Sequence, residues 1–312
     1  MTGQGPQVSI VMPAYRSERT VGETLDSISA QTWRDAEVIV VDSSPDERTA
    51  DEVRRFPDVM LLRSGVQLTP HAARNRGVAA SRGSLLVFTD PDILMPPDWL
   101  VRLVAAHDEA GGIIVGAIAC HGRRYLDNAI HICKFSRFLS GGRPRPIDVG
   151  PTGNLLVPRA VFDAVGPFPD GWIGDVAFSR AARSAGVELR FEPAATVAHH
   201  HVHTLGSFLR ERFERGALFG AMRVGWLGHS RAKVLGFLAA SVLPLRLARI
   251  LAMTAGHCVR AGCFRWYLPS LPVVTLGHAA SLAGESRAYV RAILYRSRAD
   301  VSQSVAAGPV HP

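Results

Sequence analysis

The apolar residues of the first hundred positions are grouped into short, continuous runs that are rich in β-branched side chains. The runs are residues 8–12, 38–41, 59–62 and 85–88. Segments with helical spacing separate them, at residues 20–30, 49–55 and 70–80. Continuous apolar strands that alternate with amphipathic helices are typical of a parallel sheet covered on both faces. Because crossovers between such strands are right-handed, the pattern predicts a doubly wound α/β layer.

The pattern is looser from residue 97 to residue 205. It predicts helices at residues 97–110, 159–165 and 175–185, and strands at residues 113–119 and 153–157. A strand pair at residues 189–191 and 196–199 closes this region. The Gly-, Arg- and Pro-rich residues 140–146 are typical of a loop.

After residue 206 the sequence becomes more apolar and more basic. A basic amphipathic helix is predicted at residues 207–220, and apolar stretches follow at residues 234–245 and 266–284. The first stretch is short for a membrane span, and prolines interrupt the second. Flanking arginines and aromatic residues favour helices that lie at a membrane interface. A helical subdomain packed on the preceding domain is the alternative.

Carboxylates follow two of the predicted strands directly. Asp42 ends the second apolar run, and Asp90-Pro91-Asp92 follows the fourth. Ligands of open α/β sheets bind outside the carboxyl ends of the strands. In extended backbone, Asp90 and Asp92 point to the same side, where they can face one ion or one diphosphate. Their hard oxygen ligands suit Mg²⁺ or Mn²⁺, although the same triplet is common in surface turns and helix caps.

Each other candidate residue also has a purely structural interpretation. Asp42 suits either an Asx-turn or an acceptor for a nucleobase N–H. Arg74 suits either phosphate binding or a solvated helix face. Asp175 suits either a helix cap or a general base that removes the proton of an acceptor hydroxyl.

Several histidines follow the last predicted strand. His199, His201 and His203 share one face of an extended backbone, with His200 between the first two. A three-histidine zinc site is one interpretation. The histidines could instead donate hydrogen bonds to phosphate, or bind the same divalent ion as the carboxylates. Neither of these alternatives requires a second metal. A buried structural role remains open for at least one of them.

Composition narrows the class of protein. The chain has 312 residues with a net charge of +8, and Lys134 and Lys233 are its only lysines. Its length fits one large domain, or one domain with an appendage. Basic charge suits phosphates, anionic lipid or nucleic acid, but the sequence has no basic–aromatic platform for a nucleic acid strand. The spacing of its four cysteines favours a reducing compartment, and the N-terminus carries no secretory pattern.

Taken in order, the motifs resemble the family 2 glycosyltransferases with the GT-A fold. The matching strings are VSIVMPAYRSE at 8–18, SISAQTW at 27–33, VIVVDSS at 38–44, AARNRGVAASRGSLLVFTDPD at 72–92, GPTGNLLVPRAVFDAVGPFPD at 150–170, GDVAFSRAARSAG at 174–186 and VAHHHVHTL at 197–205. The resemblance covers residues 7–216. It implies a catalytic domain at 1–205, with a nucleotide-sugar half at 7–96 and an acceptor half at 97–205. A helical, membrane-associated region follows at 206–312.

The resemblance also implies an activity and its partners. We expect an inverting transferase that uses a nucleotide-diphosphate sugar and Mg²⁺ or Mn²⁺, with a glycan or lipid-linked acceptor. From the cysteine spacing, the basic apolar C-terminal part and the absence of a basic–aromatic platform, we further expect a cytoplasmic protein, peripheral to the inner face of the cell membrane, that binds no nucleic acid. A catalytically inactive nucleotide-sugar-binding scaffold of the same fold is the alternative.

Roles carry over from the family by matching position. Pro13, Tyr15 and Glu18 would line the nucleotide pocket, and Asp42 would meet the base. Arg74 would lie near the base and the diphosphate, Asp90 near the ribose and sugar, Asp92 on the metal, and His199 and His201 near the diphosphate. Asp175 would be the acceptor base. Gly174 replaces the Glu that usually precedes this base, which makes Asp170 a second candidate for the role.

Overall fold

The computed structural model describes residues 6–122, 124–171, 173–201, 204–226, 231–242 and 244–294. Contacts within the chain divide it into two compact units. The first contains Met1–His121 and Ser140–His200, and the second contains Gly122–Leu139 and His201–Pro312. Residues 122–139 thus group with the C-terminal helices, whereas the sequence predicts that they belong to the acceptor half.

In the described residues, strands and helices alternate as far as β9, and helices follow it. The elements are β1 (Val8–Ala14), α1 (Val21–Ser29), β2 (Ala36–Asp42), α2 (Arg48–Arg54), β3 (Val59–Arg63), α3 (Pro70–Ala80), β4 (Leu85–Thr89), β5 (Ile93–Leu94), α4 (Trp99–Ala110), β6 (Ile113–Cys120), α5 (Tyr125–Phe135), β7 (Arg145–Pro146), β8 (Asn154–Pro158), α6 (Arg159–Val165), α7 (Gly174–Ser184), β9 (Leu189–His199), α8 (Leu205–Trp226), α9 (Arg231–Val242), α10 (Pro244–Arg260) and α11 (Phe264–Leu294). Helix α5 and helices α8 to α11 belong to the second unit, and the other elements belong to the first.

The strands of the first unit form one sheet, in the order β3-β2-β1-β4-β8-β6-β9-β5, with β7 paired to β9. Strands β3, β2, β1 and β4 are parallel, so their carboxyl ends lie at the same edge. Strand β8 is antiparallel to both of its neighbours, β4 and β6. The predicted α/β sheet with flanking helices is confirmed.

The predicted strand pair at 189–191 and 196–199 is wrong, because both segments belong to the single strand β9. Its register against β6 jumps between neighbouring positions: Gly116 is opposite Glu192, and Ala117 is opposite Thr196. Pro193 falls inside this jump, where its missing N–H costs the sheet no hydrogen bond. The irregularity made one strand resemble two.

Asn154 of β8 supplies the hydrogen bonds that this irregular stretch needs. Its Nδ2 donates to the carbonyl oxygens of Ala117 and Ala195, at 2.8 and 2.9 Å. Its Oδ1 accepts a 2.9 Å hydrogen bond from Nε1 of Trp99. Because Asn154 is 0% exposed, no solvent can replace these bonds.

The elements described in the second unit are helices, and the sequence pattern did not predict one of them, α5. The apolar stretch 234–245 spans the end of α9 and the beginning of α10, which starts at Pro244. Glycines allow helices α8 and α11 to lie very close together. A Cβ at Gly216 or Gly284 would overlap the backbone of the facing helix. Among the described helices, none alone has the length and apolarity of a membrane span, although α9 and α10 together do, with a 68° bend.

We predict that Asn154→Leu lowers the free energy of unfolding by about 3 kcal/mol or more, because three buried polar groups lose their partner at about 1–3 kcal/mol each. Chemical denaturation measures this change. Asn128→Ala is the control, because Asn128 makes one exposed hydrogen bond, to Arg124, and should change stability by at most about 0.5 kcal/mol. Equal stabilities of the two variants would contradict the role assigned to Asn154.

Candidate active site

Helix α3 carries Arg74 to the carboxyl edge of the sheet. The helix begins after Thr69, whose side chain accepts a hydrogen bond from the Ala72 N–H, and Pro70 fixes its first turn. Gly77 lets the helix approach β1, since a Cβ there would overlap the Val11 side chain. The guanidinium of Arg74 is thereby buried, and its Nη2 donates to Oδ1 of Asp90.

Arg74 lies among three acidic side chains. Burial lowers the pKa of Arg74, while Asp90, Asp175 and Asp92 act in the opposite direction through their charges. Because an arginine stays protonated in proteins, its buried positive charge needs negative charge nearby, and these three acidic neighbours supply it. The structure therefore brings three of the predicted site residues, all acidic, around a fourth, the buried cation Arg74.

Asp92 lies beside the end of β9. Ile93 pairs with His199 in the sheet, and the His200 N–H donates to the Asp92 carbonyl oxygen at 2.9 Å. This pairing places Nε2 of His199 3.6 Å from Oδ2 of Asp92. A carboxylate oxygen and an imidazole nitrogen at this separation fit the ligand set of one divalent ion such as Mn²⁺.

Asp42 is buried, and both of its oxygens have partners. Oδ1 accepts a 2.9 Å hydrogen bond from the Ser44 N–H, which is the arrangement of an Asx-turn. Oδ2 accepts from Nη1 of Arg63, which the sequence analysis did not single out. Arg63 and Asp42 are register partners at the ends of β3 and β2. The sequence carries one signal for this pair: β2 ends in an acidic residue, and the next strand, β3, ends in a basic one.

The predicted nucleotide-pocket residues follow β1. Pro13 is buried in β1 opposite Val41, and Tyr15 is half-buried. Glu18 lies 3.2 Å from Nη1 of Arg48 and accepts a 3.4 Å hydrogen bond from Thr49 Oγ1. Thr49 also accepts a hydrogen bond from the Ser17 N–H, at 2.9 Å, and so joins the loop after β1 to helix α2.

Asp175 is the second residue of α7, so the N-cap position is not Asp175 but Ile173. The Asp175 Oδ1 accepts a 2.9 Å hydrogen bond from the N–H of Val176. The backbone N–H of Asp175 donates to Nε2 of His71, at 3.1 Å. His71 was missed by the sequence analysis, although it lies one helical turn before Arg74 on α3. The second candidate base, Asp170, is exposed and accepts from Thr69.

The other histidines lie in different surroundings. His201 belongs to the second unit, where its Nε2 lies 3.0 Å from Nδ1 of His131. His200 belongs to the first unit and meets His121 edge to face, with ring centroids 5.0 Å apart. His203 lies outside the described residues. The convergence of residues 199, 201 and 203 on a zinc ion stays an untested alternative.

The chain matches a known protein family and a curated relative. The family described as Glycosyl transferase family 2 matches residues 9–165. Glycosyltransferase AglE of Haloferax volcanii is 29% identical over 227 residues, which cover 69% of this chain and 74% of that protein.

Two solved structures share the fold. The mannosyltransferase PcManGT from Pyrobaculum calidifontis, in complex with GDP-Man and Mn²⁺, has a TM-score of 0.52 and 21% identity, covering 87% of this chain and 86% of that one. TarS 1–349 of S. aureus, in complex with UDP-GlcNAc, has a TM-score of 0.51 and 19% identity, covering 64% of this chain. The chain spans 59% of the TarS chain.

Proposed function

Because the chain belongs to glycosyl transferase family 2 and is a glycosyltransferase, we propose that it moves a sugar from a nucleotide-diphosphate donor to a hydroxyl acceptor by a single inverting displacement. The observation that carries the proposal is the buried Arg74, which contacts Asp90 and lies within electrostatic range of Asp92 and Asp175. These groups supply the two functions that the reaction needs: stabilisation of a leaving diphosphate and removal of a proton from the acceptor.

The donor nucleotide binds at the carboxyl ends of β1 and β2. Its pocket is formed by Pro13, Tyr15, Glu18 and Asp42. The hydrogen bonds of Thr49 and Ser44 to the loop after β1 hold this loop beside the end of β2. The buried Asp42 carboxyl group is paired with Arg63, and a carboxylate oxygen is a strong acceptor for a base N–H.

The diphosphate would lie near Arg74, and a divalent cation, Mg²⁺ or Mn²⁺, would be bound beside it. Asp92 would hold this cation, with His199 beside it, and His201 is proposed near the diphosphate. The cation supplies positive charge that stabilises the leaving diphosphate. Arg74 adds its guanidinium, which Asp90 fixes in place, so the charge is arranged before the reaction begins.

Asp175 is the general base. It accepts the proton of the acceptor hydroxyl while the acceptor oxygen bonds to the anomeric carbon and the bond to the diphosphate breaks. Attack from the face opposite the leaving group inverts that carbon. A scaffold that binds the donor without transfer is the second candidate, since Gly174 stands where the family usually has Glu.

We predict that Asp92→Ala lowers kcat at least about 100-fold, because loss of a metal ligand removes charge from the leaving group. A melting-temperature screen of nucleotide sugars with Mn²⁺ selects the donor, and release of the nucleoside diphosphate then measures turnover. The control is Asp58→Ala, since Asp58 is exposed in the loop before β3. Undiminished turnover of Asp92→Ala would refute the metal role, and donor binding without turnover by the wild type would favour the scaffold.

The second unit is proposed to bind an anionic membrane surface, where a lipid-linked or cell-envelope acceptor would be presented. One face of α10 exposes Leu245, Met253 and Val259, at 76%, 50% and 61%. The arginines of this face, Arg249 and Arg260, are also exposed. A helix face that exposes both apolar side chains and arginines fits the boundary between acyl chains and anionic headgroups.

We predict that the double variant Met253→Asp/Val259→Asp binds vesicles of phosphatidylcholine and phosphatidylglycerol at least about tenfold more weakly than the wild type, because two apolar anchors become charged. Co-sedimentation measures the bound fraction. Val66→Asp is the matched control, since Val66 is 69% exposed in the first unit. Wild-type binding by the double variant, or no binding by the wild type, would contradict the membrane proposal.

A further inference from the structure

His71 and the beginning of α7 fit together closely. The ring of His71 lies over Gly174, so that a Cβ at residue 174 would come within 2.5 Å of His71 Cδ2 and 2.9 Å of its Cγ. The same Cβ would overlap the backbone oxygen of Pro169. Position 174 therefore accepts only glycine in this arrangement, and the imidazole occupies the space that a side chain there would need.

The imidazole also provides a hydrogen bond that the helix otherwise lacks. The first N–H groups of a helix have no partner within the helix, and Ile173, the N-cap residue of α7, has no oxygen in its side chain to accept one. Nε2 of His71 accepts the N–H of Asp175, at 3.1 Å. A residue of α3 thus completes the first turn of α7.

Contacts with Phe168 fix the position of the His71 ring. His71 stacks on Phe168, with ring centroids 5.2 Å apart. Asn75, one turn further along α3, accepts a 3.0 Å hydrogen bond from the Phe168 N–H and donates a 2.8 Å bond to the Phe168 carbonyl oxygen. Helix α3 therefore holds both the ring and the segment that leads to Asp175.

The protonation state of His71 follows from its partner. A nitrogen that accepts a hydrogen bond carries no proton, so Nδ1 is the protonated nitrogen of a neutral ring. Burial is the largest influence on the pKa of His71 and lowers it, although Asp175 acts in the opposite direction. The neutral ring can accept the Asp175 N–H, which an imidazolium cannot.

We propose that His71 is the positioning residue for the catalytic base: its neutral imidazole fills the space over Gly174 and holds the backbone of Asp175 in place. This inference rests on the proposed role of Asp175. The Asp175 carboxylate is held next to this backbone by the Val176 N–H, which donates to Oδ1, and His71 Nε2, 3.8 Å from that oxygen, makes no hydrogen bond to it. Loss of the imidazole therefore releases the first turn of α7 and, with it, the carboxylate that receives the acceptor proton.

The first test compares three substitutions at residue 71. His71→Leu should lower kcat about 10- to 100-fold with the donor KM unchanged, because small displacements of a catalytic group cost about that much. His71→Gln should recover most of kcat, since its carbonyl oxygen can reach the position of Nε2. His71→Asn is too short to do so and should resemble His71→Leu. Equal kcat of the Leu variant and the wild type, or a Gln variant as impaired as Leu, would overturn the proposal.

A double-mutant cycle separates positioning from general loss of structure. If His71 acts through Asp175, then His71→Leu/Asp175→Asn should be no slower than Asp175→Asn alone. A merely structural role would make the two losses multiply. His107→Leu is the matched control, since His107 bonds a loop carbonyl at the end of α4 and should leave kcat unchanged.

Nuclear magnetic resonance of ¹⁵N-labelled histidine tests the hydrogen bond without any turnover. The expected result is a His71 ring that is protonated at Nδ1 and unprotonated at Nε2, and protonation at Nε2 would overturn the proposal. Full activity of Asp175→Asn would instead overturn the assignment of the base. In that case the resonance measurement still decides whether His71 holds α7, so the two failures are distinguishable.

Discussion

The burial of one arginine is the constraint on which the rest of the site depends. Transfer of a guanidinium from water to a position that is 2% exposed costs several kcal/mol unless acidic groups surround it. Arg74 meets Asp90 directly, and Asp92 and Asp175 contribute charge from further away. Carboxylates that would repel one another are thus held at one edge of the sheet, where we propose that they bind a divalent cation and a diphosphate.

Helix α3 connects the two chemical tasks of the proposed reaction. Arg74 on this helix faces the carboxylates that follow β4, whereas Asn75 and His71 hold the segment from Phe168 to Asp175. The groups proposed to stabilise the leaving diphosphate and to receive the acceptor proton are therefore both positioned by one element. Gly77 makes this possible, because its missing side chain lets α3 lie against β1.

Local sequence patterns predicted the strands whose carboxyl ends form the site, because continuous apolar runs and the acids that follow them are features of neighbouring residues. They failed where a structure depends on distant partners. The sequence pattern divides β9 into two strands at its irregular stretch. The strand continues through this stretch because Asn154, far away in sequence, supplies a hydrogen bond there. Likewise, nothing adjacent to His71 indicates that its ring lies over Gly174, so its role emerged only from the structure. The roles of all the candidate site residues, in donor binding, metal binding and catalysis, stay predictions.

Anomalous diffraction from crystals grown with Mn²⁺ and the preferred nucleoside diphosphate tests the central claim most directly. We expect a manganese peak within bonding distance of the Asp92 carboxylate, with the diphosphate beside the guanidinium of Arg74. A nucleotide bound at the carboxyl ends of β1 and β2, with its manganese ion away from Asp92, would contradict the claim that these carboxylates gather around a cation.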